Sequence, residues 1–359
     1  MTAGGATRMP GDRRVSIVIP NRNGAATLAP CLRAACASRH PRFEVVVVDD
    51  ASQDGSAEIA RRFPCRLVRL PRHAGVSRAR NAGAAVARGS LLFFIDNDCL
   101  LEPDAVARAD AAYGDRKDLV LGGTYTPVPP DPDFFSRFQS VAIHHFETKR
   151  APPDYVAAHA MMVDAALFRR SGGFVEGPLL GVVASVEDVE LSHRLRRAGC
   201  ELALDPSIQV RHLFRFSLPR SLRNAARKSR IWTAYSLARK DLLADSGAAS
   251  VELKANVVLA LLAGFLVAAA AAIGRAWPLA AVPPVLALDV ALSRRLVAAW
   301  ARAGGAVFAI LATVYWLTFY AAAVAAGAAA AALHPLRTVQ RLRKAPECTA
   351  RFDTRGLSS

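Results

Sequence analysis

The amino-acid sequence predicts an α/β domain with a largely parallel sheet, followed by a membrane-embedded helical part. Three observations predict it. Short apolar, β-branched runs alternate with helical patterns from Val15 to Pro103, the rhythm of strand–helix units that lay strands side by side in parallel. Two of the runs end in acidic clusters, Asp49-Asp50 and Asp96-Asn97-Asp98. Further on, Ala255 to Gly274 and Ala303 to Leu336 carry no Lys, Arg, Asp or Glu, and such stretches are long enough to cross a hydrocarbon core of about 30 Å.

Each element follows from local chemistry. Val15–Pro20 (VSIVIP) is a strand ended by proline, and Thr27 is the expected N-cap of a helix over Leu28–Ala37. Phe43–Asp49 (FEVVVVD) is a continuous apolar run, as expected of a strand buried on both faces. Asp54-Gly55 leads into a helix through Phe63, and Arg66–Leu70 is a third strand. Val76–Arg88 is an alanine- and arginine-rich helix, Leu91–Ile95 a fourth strand, and Pro103 opens another helix. Residues 124–155, rich in Pro, Asp and aromatics, read as irregular. Regular structure resumes over Ala157–Arg170 and ends at Ser171-Gly172-Gly173-Phe174. Ser185–Ala198 is a helix closed by Gly199, with Ser185 and Asp188 spaced as a capping box. Glu201–Leu204 and Ile208–Arg211 are short strands.

Ligands of such sheets bind at the carboxyl ends of the strands, so both acidic clusters fall on one edge. Asp96 and Asp98 offer the carboxylate half-site that Mg²⁺ or Mn²⁺ takes alongside substrate phosphates; the competing reading is a simple Asp-Asn turn. Asp49 and Asp50 can accept from a nucleobase or ribose, whereas Asp54 suits a helix cap. Arg78 and Arg80, at a helix start, can reach a diphosphate. Asp188 is either a helix cap or a general base. His212, alone after a strand, is either structural or the completion of a metal site.

The formal net charge is +16. Arg211, Arg215, Arg220, Arg223, Arg227, Lys228, Arg230, Arg239 and Lys240 cluster before the first apolar span with no acidic residue among them. That location points to the anionic headgroups of a cytoplasmic membrane face rather than to nucleic acid, the cluster serving as a topology signal, as a direct phosphate-binding surface, or as both. Residues 217–254 are expected as a basic juxtamembrane segment whose first part is an amphipathic helix, 255–336 as a transmembrane region of two to four spans, and 337–359 as a basic cytoplasmic tail. Residues 1–14, polar and glycine-rich, are expected to be disordered and lack the apolar core of a secretory signal. The six cysteines form no Cys-x-x-Cys, which points to reduced thiols in a cytoplasmic domain.

In order and spacing, VSIVIPNRNG, VVVVDDASQDGS, GVSRARNAGAAVARG, LLFFIDNDCLLEPDAV, FRRSGGF and SVEDVELSHRLRRAG resemble the successive motifs of the family 2 glycosyltransferases, which have the GT-A fold. The resemblance covers roughly residues 14–215, so 15–216 is expected to be a GT-A catalytic domain. It implies a nucleotide-diphosphate-sugar donor, a divalent cation and an inverting transfer. It places Asp49 and Asp50 at the base and ribose, with Pro20 and Asn21 nearby, and Arg80 and Asn81 near the nucleotide or diphosphate. It implies Asp98 as the more direct metal ligand, with Asp96 at ribose or metal-bound water. Asp188 falls on the family's general base, and His212 is the matching third metal ligand. The Q-x-x-R-W motif of processive members is absent, His212-Leu213-Phe214-Arg215-Phe216 standing in its place, so transfer of a single sugar is favoured; the basic amphipathic helix would either hold the site close to a lipid- or polyprenyl-linked acceptor or simply anchor the domain. The enzyme is then expected in the cytoplasmic (inner) membrane, multi-pass, its catalytic domain facing the cytoplasm. A nucleotidyltransferase on a similar fold is a second reading, but Asn21-Arg22-Asn23-Gly24 is a poor phosphate-gripping loop. A non-catalytic scaffold is a third, and the intact Asp98 and Asp188 speak against it.

Overall fold

The computed structural model describes residues 11–333 apart from 132, 178–185, 241, 243, 244, 246 and 248. Within these the chain forms two compact units, one of residues 11–130 and 150–214, the other of residues 131–149 and 215–333.

The first unit runs β1 (Val15–Asn21), α1 (Ala25–Cys36), β2 (Phe43–Asp49), α2 (Ser56–Ala60), β3 (Arg66–Arg69), α3 (Val76–Val86), β4 (Leu91–Phe94), β5 (Cys99–Leu101), α4 (Ala105–Tyr113) and β6 (Leu119–Tyr125). After α5 (Phe134–Thr148), which belongs to the second unit, it continues with β7 (Met161–Asp164), α6 (Ala165–Arg170), α7 (Glu187–Arg197) and β8 (Glu201–His212). The eight strands form one sheet in the order β3-β2-β1-β4-β7-β6-β8-β5. β1 to β4 are mutually parallel, β7 is antiparallel to both β4 and β6, β8 is parallel to β6, and β5 is antiparallel to β8. The sheet is therefore mixed, with its parallel half where the apolar runs predicted it.

The inner strands of that parallel half, β1, β2 and β4, are covered on both faces, which is why they are mainly apolar, whereas the edge strand β3 carries arginines. Every residue of β1 and β4 is buried. Burying Phe93 and Phe94 stabilises the fold by roughly 1.5–3 kcal/mol each. α3 lies so close over β1 that a Cβ on Gly83 would sit 2.4 Å from Val18 Cγ1, so glycine is required there.

Several boundaries differ from the sequence reading. α1 starts at Ala25 rather than Leu28, and its cap is Gly24, not Thr27. The loop after β2 supplies the start of that helix instead: Gly24 N donates to Ser56 Oγ and Ala25 N to Asp54 Oδ2. The stretch 124–155 is irregular only in part, at 126–131, 133 and 149–155. β6 extends to Tyr125, and α5 is a fifteen-residue helix whose N-cap, Asp133, accepts from Ser136 N. The Pro-Asp run before it hid a helical spacing of Phe134, Phe138, Val141, Ala142 and Phe146, which enter an aromatic core with Trp300, Phe308, Tyr315 and Trp316 in the second unit. The two short strands expected near residue 205 are one strand, β8, paired to β6 with a shift in register. Ser185, half of the expected capping box, lies outside the described residues, as do most of the 1–14 tail and all of the 337–359 tail.

The second unit adds α8 (Leu218–Arg239), α9 (Val251–Ile273), α10 (Val282–Leu292), α11 (Arg294–Tyr315) and α12 (Ala321–Leu333). α9 is long and apolar enough to cross a membrane. So is the forty-residue stretch of α11 and α12, which a non-helical Gly305 and a wide turn over Trp316–Tyr320 interrupt. Val258 and Phe265 on α9 are 64% and 68% exposed, an outward apolar face suited to lipid rather than water. α8 and α12 approach closely at Gly327, where a Cβ would meet the Ala226 carbonyl oxygen.

Candidate active site

The carboxyl ends of β1, β2 and β4 and the N-terminus of α7 gather the chemistry-bearing residues of the first unit. Pairing of Asn21 with Asp49 ends β1 and β2 level with each other. Asn21 then joins the two acidic clusters: its Nδ2 donates to Asp49 Oδ1 at 3.3 Å and to Ser52 Oγ at 3.2 Å, and its Oδ1 accepts from Asn97 Nδ2 at 2.6 Å. The space above this link admits only glycine, because a Cβ on Gly24 would stand 2.1 Å from Asn97 Nδ2 and 2.3 Å from Asn21 Oδ1. Pro20, Asn21, Asp49 and Asp50 are all buried.

Asp49 also accepts from Ser52 N and pairs with Arg69 at 3.6 Å. Asp50 is engaged on both oxygens: Oδ1 accepts from Ala74 N at 2.7 Å, and Oδ2 from Gly75 N at 2.9 Å with His73 Nδ1 at 2.7 Å. Asp50 thus shapes the turn into α3, which Gly75 enters at φ +94°. Asn81, on the buried side of α3, holds the chain after α6: its Nδ2 donates to the Phe174 carbonyl and to Glu176, and its Oδ1 accepts from Phe174 N.

Arg80, expected beside a diphosphate, is enclosed. Its Nη2 donates to Asp96 Oδ1 at 2.7 Å and its Nη1 to Glu187 Oε1 at 2.6 Å, and the guanidinium lies over the Phe174 ring. Arg78 is the more open of the two arginines and pairs with Glu176 at 3.4 Å. Burial pushes the Asp96 carboxyl up, but Arg80, His159 and His212 together pull it below the ordinary carboxylate range.

Asp188 lies in the first turn of α7 and points its carboxylate at the turn before β7. Its Oδ2 accepts from Ala158 N at 3.2 Å and its Oδ1 from Val189 N at 2.9 Å. Burial, and then the neighbouring Glu187 charge, push this carboxyl up to about 6 against the pull of Arg80. Asp188 is therefore ionised at neutral pH, yet far more basic than an ordinary carboxylate.

At the other end of the site, pairing of Cys99 with His212 brings β8 alongside Asp98. Asp98 Oδ2 lies 3.5 Å from His212 Nε2, and the ligand atoms of Asp98, Cys99 and His212 all lie within 4.8 Å of one another. His212 stacks on Phe214 and meets the edge of Tyr125, which in turn stacks on His159. A carboxylate and an imidazole held this way fit Mn²⁺, or Mg²⁺ with more of its shell from water and phosphate. Burial and the Asp98 charge drive the Cys99 thiol well above its ordinary range, so it stays protonated and is no ligand for a hard cation.

The sheet thus gathers Asn21, Asp49, Asp96, Asp98, Asp188 and His212 around its strand ends and loops, while Arg80, Asn81 and Asp50 brace the loops around them. Reading the sequence did not single out Asn97, His73, Tyr125 or the role of Glu187. The Glu-Asp pair was the only local signal for Glu187, and nothing local marked the others.

Residues 16–172 match the sequence model of Glycosyl transferase family 2. Glycosyltransferase AglE of Haloferax volcanii is 34% identical over 197 residues, which are 52% of this chain and 63% of that protein. Succinoglycan biosynthesis protein ExoO of Rhizobium meliloti is 37% identical over 105 residues, 27% of this chain and 30% of that protein. The chain therefore spans less than two thirds of the length of these relatives. Among solved structures, the mannosyltransferase PcManGT from Pyrobaculum calidifontis, in complex with GDP-Man and Mn²⁺, aligns with a TM-score of 0.54 at 18% identity, covering 89% of this chain and 87% of that one. At that identity the likeness is one of fold.

Proposed function

We infer, from the premise that residues 16–172 are a family 2 glycosyltransferase domain of GT-A fold, that this chain is an inverting, metal-dependent glycosyltransferase. It moves one sugar from a nucleotide-diphosphate-sugar to a lipid- or polyprenyl-linked acceptor in cell-envelope glycan or glycolipid synthesis. The observation that carries this reading is the pairing of Asp98 with His212 on the same strand-end surface as a carboxylate, Asp188, raised to about 6. A relative named as a glycosyltransferase, another named for succinoglycan biosynthesis, and a fold neighbour holding GDP-Man and Mn²⁺ support it.

The chemistry asks two things of the protein. The acceptor hydroxyl must lose its proton as its oxygen attacks the anomeric carbon from the face opposite the leaving diphosphate. Asp188 takes that proton, and a base of this strength is well matched to neutral pH. A single displacement inverts the anomeric configuration and calls for no covalent nucleophile. Asp98 and His212 would hold the divalent cation, which when bound stabilises charge on the leaving nucleoside diphosphate. Asp49 and Asn21 bind the nucleoside, Asp50 and Asn81 keep the loops around it in place, and Asp96 reaches ribose or metal-bound water. If the acceptor is a phosphate, already ionised, Asp188 orients it.

The decisive experiment is a donor panel with the full chain in membranes, with and without Mn²⁺ or Mg²⁺. Release of nucleoside diphosphate that needs the cation is expected. Release of pyrophosphate would instead indicate a nucleotidyltransferase, and no release from any donor a scaffold.

The membrane part of the reading places the protein in the cytoplasmic membrane, with the catalytic unit on the cytoplasmic side. α9 and the α11–α12 stretch supply the apolar length. α8 supplies the surface signal: Arg220, Arg223, Arg227 and Arg230 are exposed at helical spacing on one face, while Ser221, Ala225, Ile231 and Tyr235 are buried on another. The basic face is about 15 Å long at 1.5 Å per residue and meets anionic headgroups, each arginine contributing about 1 kcal/mol near the surface. Replacing all four by glutamine is expected to remove the gain in transfer rate between zwitterionic and anionic nanodiscs. A gain of the same size in the variant would overturn this assignment.

A further inference from the structure

Arg80 is the most enclosed cation of the site, and both of its partners are acids on different elements. One is Asp96 on the loop after β4; the other is Glu187 on the first turn of α7. Arg80 itself comes from α3, so one guanidinium ties three elements together. Glu187 is buried as well, with its side chain only 9% exposed. Oε1 takes the bond from Arg80, whereas Oε2 is buried without a hydrogen-bond partner among the described residues. A buried carboxylate oxygen left unsatisfied is destabilising. A neutral glutamine could keep the Arg80 contact without burying a net charge, so the negative charge itself calls for a reason. The next residue in the chain is Asp188.

We propose that Glu187 is a positioning residue for the proton transfer: clamped by Arg80, it fixes the first turn of α7 against the Asp96 loop and keeps a negative charge beside Asp188. The assignment rests on Asp188 being the base. The charged and titratable groups around this pair are Arg80 from α3, Asp96 from the loop after β4, and His159 from the turn before β7 that also donates Ala158 N to Asp188. Arg80 and Glu187 act on Asp188 in opposite senses, and Arg80 is shared with Asp96, so Glu187 is the group that keeps the base from being drained by the arginine. Glu187 touches neither substrate nor reacting atoms in this role.

The test is the pH dependence of transfer by the full chain in membranes, with the charge at position 187 removed. Glu187→Gln keeps an oxygen for Arg80 and loses the charge. The acid limb of kcat is expected to move to lower pH. kcat at neutral pH is expected to fall, by less than in Asp188→Asn, with donor KM unchanged. A purely structural residue would lower activity at every pH alike and leave the limb in place, and that result overturns the proposal. Glu187→Asp is the second variant. It keeps the charge but shortens the reach to Arg80, so the limb is expected to stay while kcat falls; full activity would overturn the positioning role. If Asp188→Asn still turns over, it is the base assignment that fails. If Asp188→Asn is inactive and the Glu187→Gln limb does not move, only the present proposal fails.

Discussion

Asp188→Asn is expected to abolish transfer while leaving donor binding intact. An asparagine keeps the shape of the carboxylate but has one accepting oxygen in place of two, so it retains one of the two bonds, from Ala158 N or Val189 N, that orient the side chain. What it cannot do is take a proton. Loss of a positioned base lowers kcat by about 10²–10⁴-fold, and donor affinity, set elsewhere, stays level. The check is kcat beside a separate donor-binding titration. Full turnover by the variant would end the assignment. The wild-type enzyme adds a second reading of the same group. Burial and Glu187 raise the Asp188 carboxyl to about 6, so its basic form dominates above that pH and disappears below it. Activity is therefore expected to fall as the pH drops through about 6, and Asp188→Asn is expected to lack that limb.

Asp98→Ala has the second large effect, on donor binding. Asp98 and His212 are the carboxylate and imidazole that face each other at 3.5 Å, and His212 is in turn held by the rings of Tyr125 and Phe214. Removing the carboxylate leaves one nitrogen of the pair, a poor site for a hard cation that prefers oxygen. Donor affinity measured across a Mn²⁺ titration should fall by at least about tenfold, the lower end of what loss of even a supporting group costs a metal site, and should lose most of its dependence on the metal. Unchanged affinity throughout the titration would remove Asp98 from that role.

These predictions draw unequally on sequence and structure. The parallel half of the sheet was legible because burial on both faces leaves its mark residue by residue: Val45–Val48 and Leu91–Ile95 are unbroken apolar runs. The acidic clusters were legible for the same reason, since charge directly after a buried strand stands out. The charge-free stretches were legible because a bilayer accepts little else. α5 was missed because the Pro-Asp run in front of it argued for a loop, while its aromatic face is explained only by partners such as Trp300 and Tyr315, far along the chain. β5 was missed because three residues carry no period.

Local sequence was enough to mark the acidic side chains after the strands, Asp49, Asp50, Asp96 and Asp98, and the Glu187-Asp188 pair at the start of α7. What each of them meets follows from the folded sheet. Arg80 was expected near the nucleotide or diphosphate, and the fold engages its guanidinium with Asp96 and with Glu187 from 107 residues away. Asp50 looked as open as Asp49 and spends both oxygens on the turn into α3. His212 had no local mark, and it faces Asp98 because β8 pairs antiparallel with the short strand that follows it. The physical reason is the same in each case. Strand ends and helix periods are written in neighbouring residues, whereas the charge that meets a given carboxylate is set by strand order, and strand order is a property of the folded sheet.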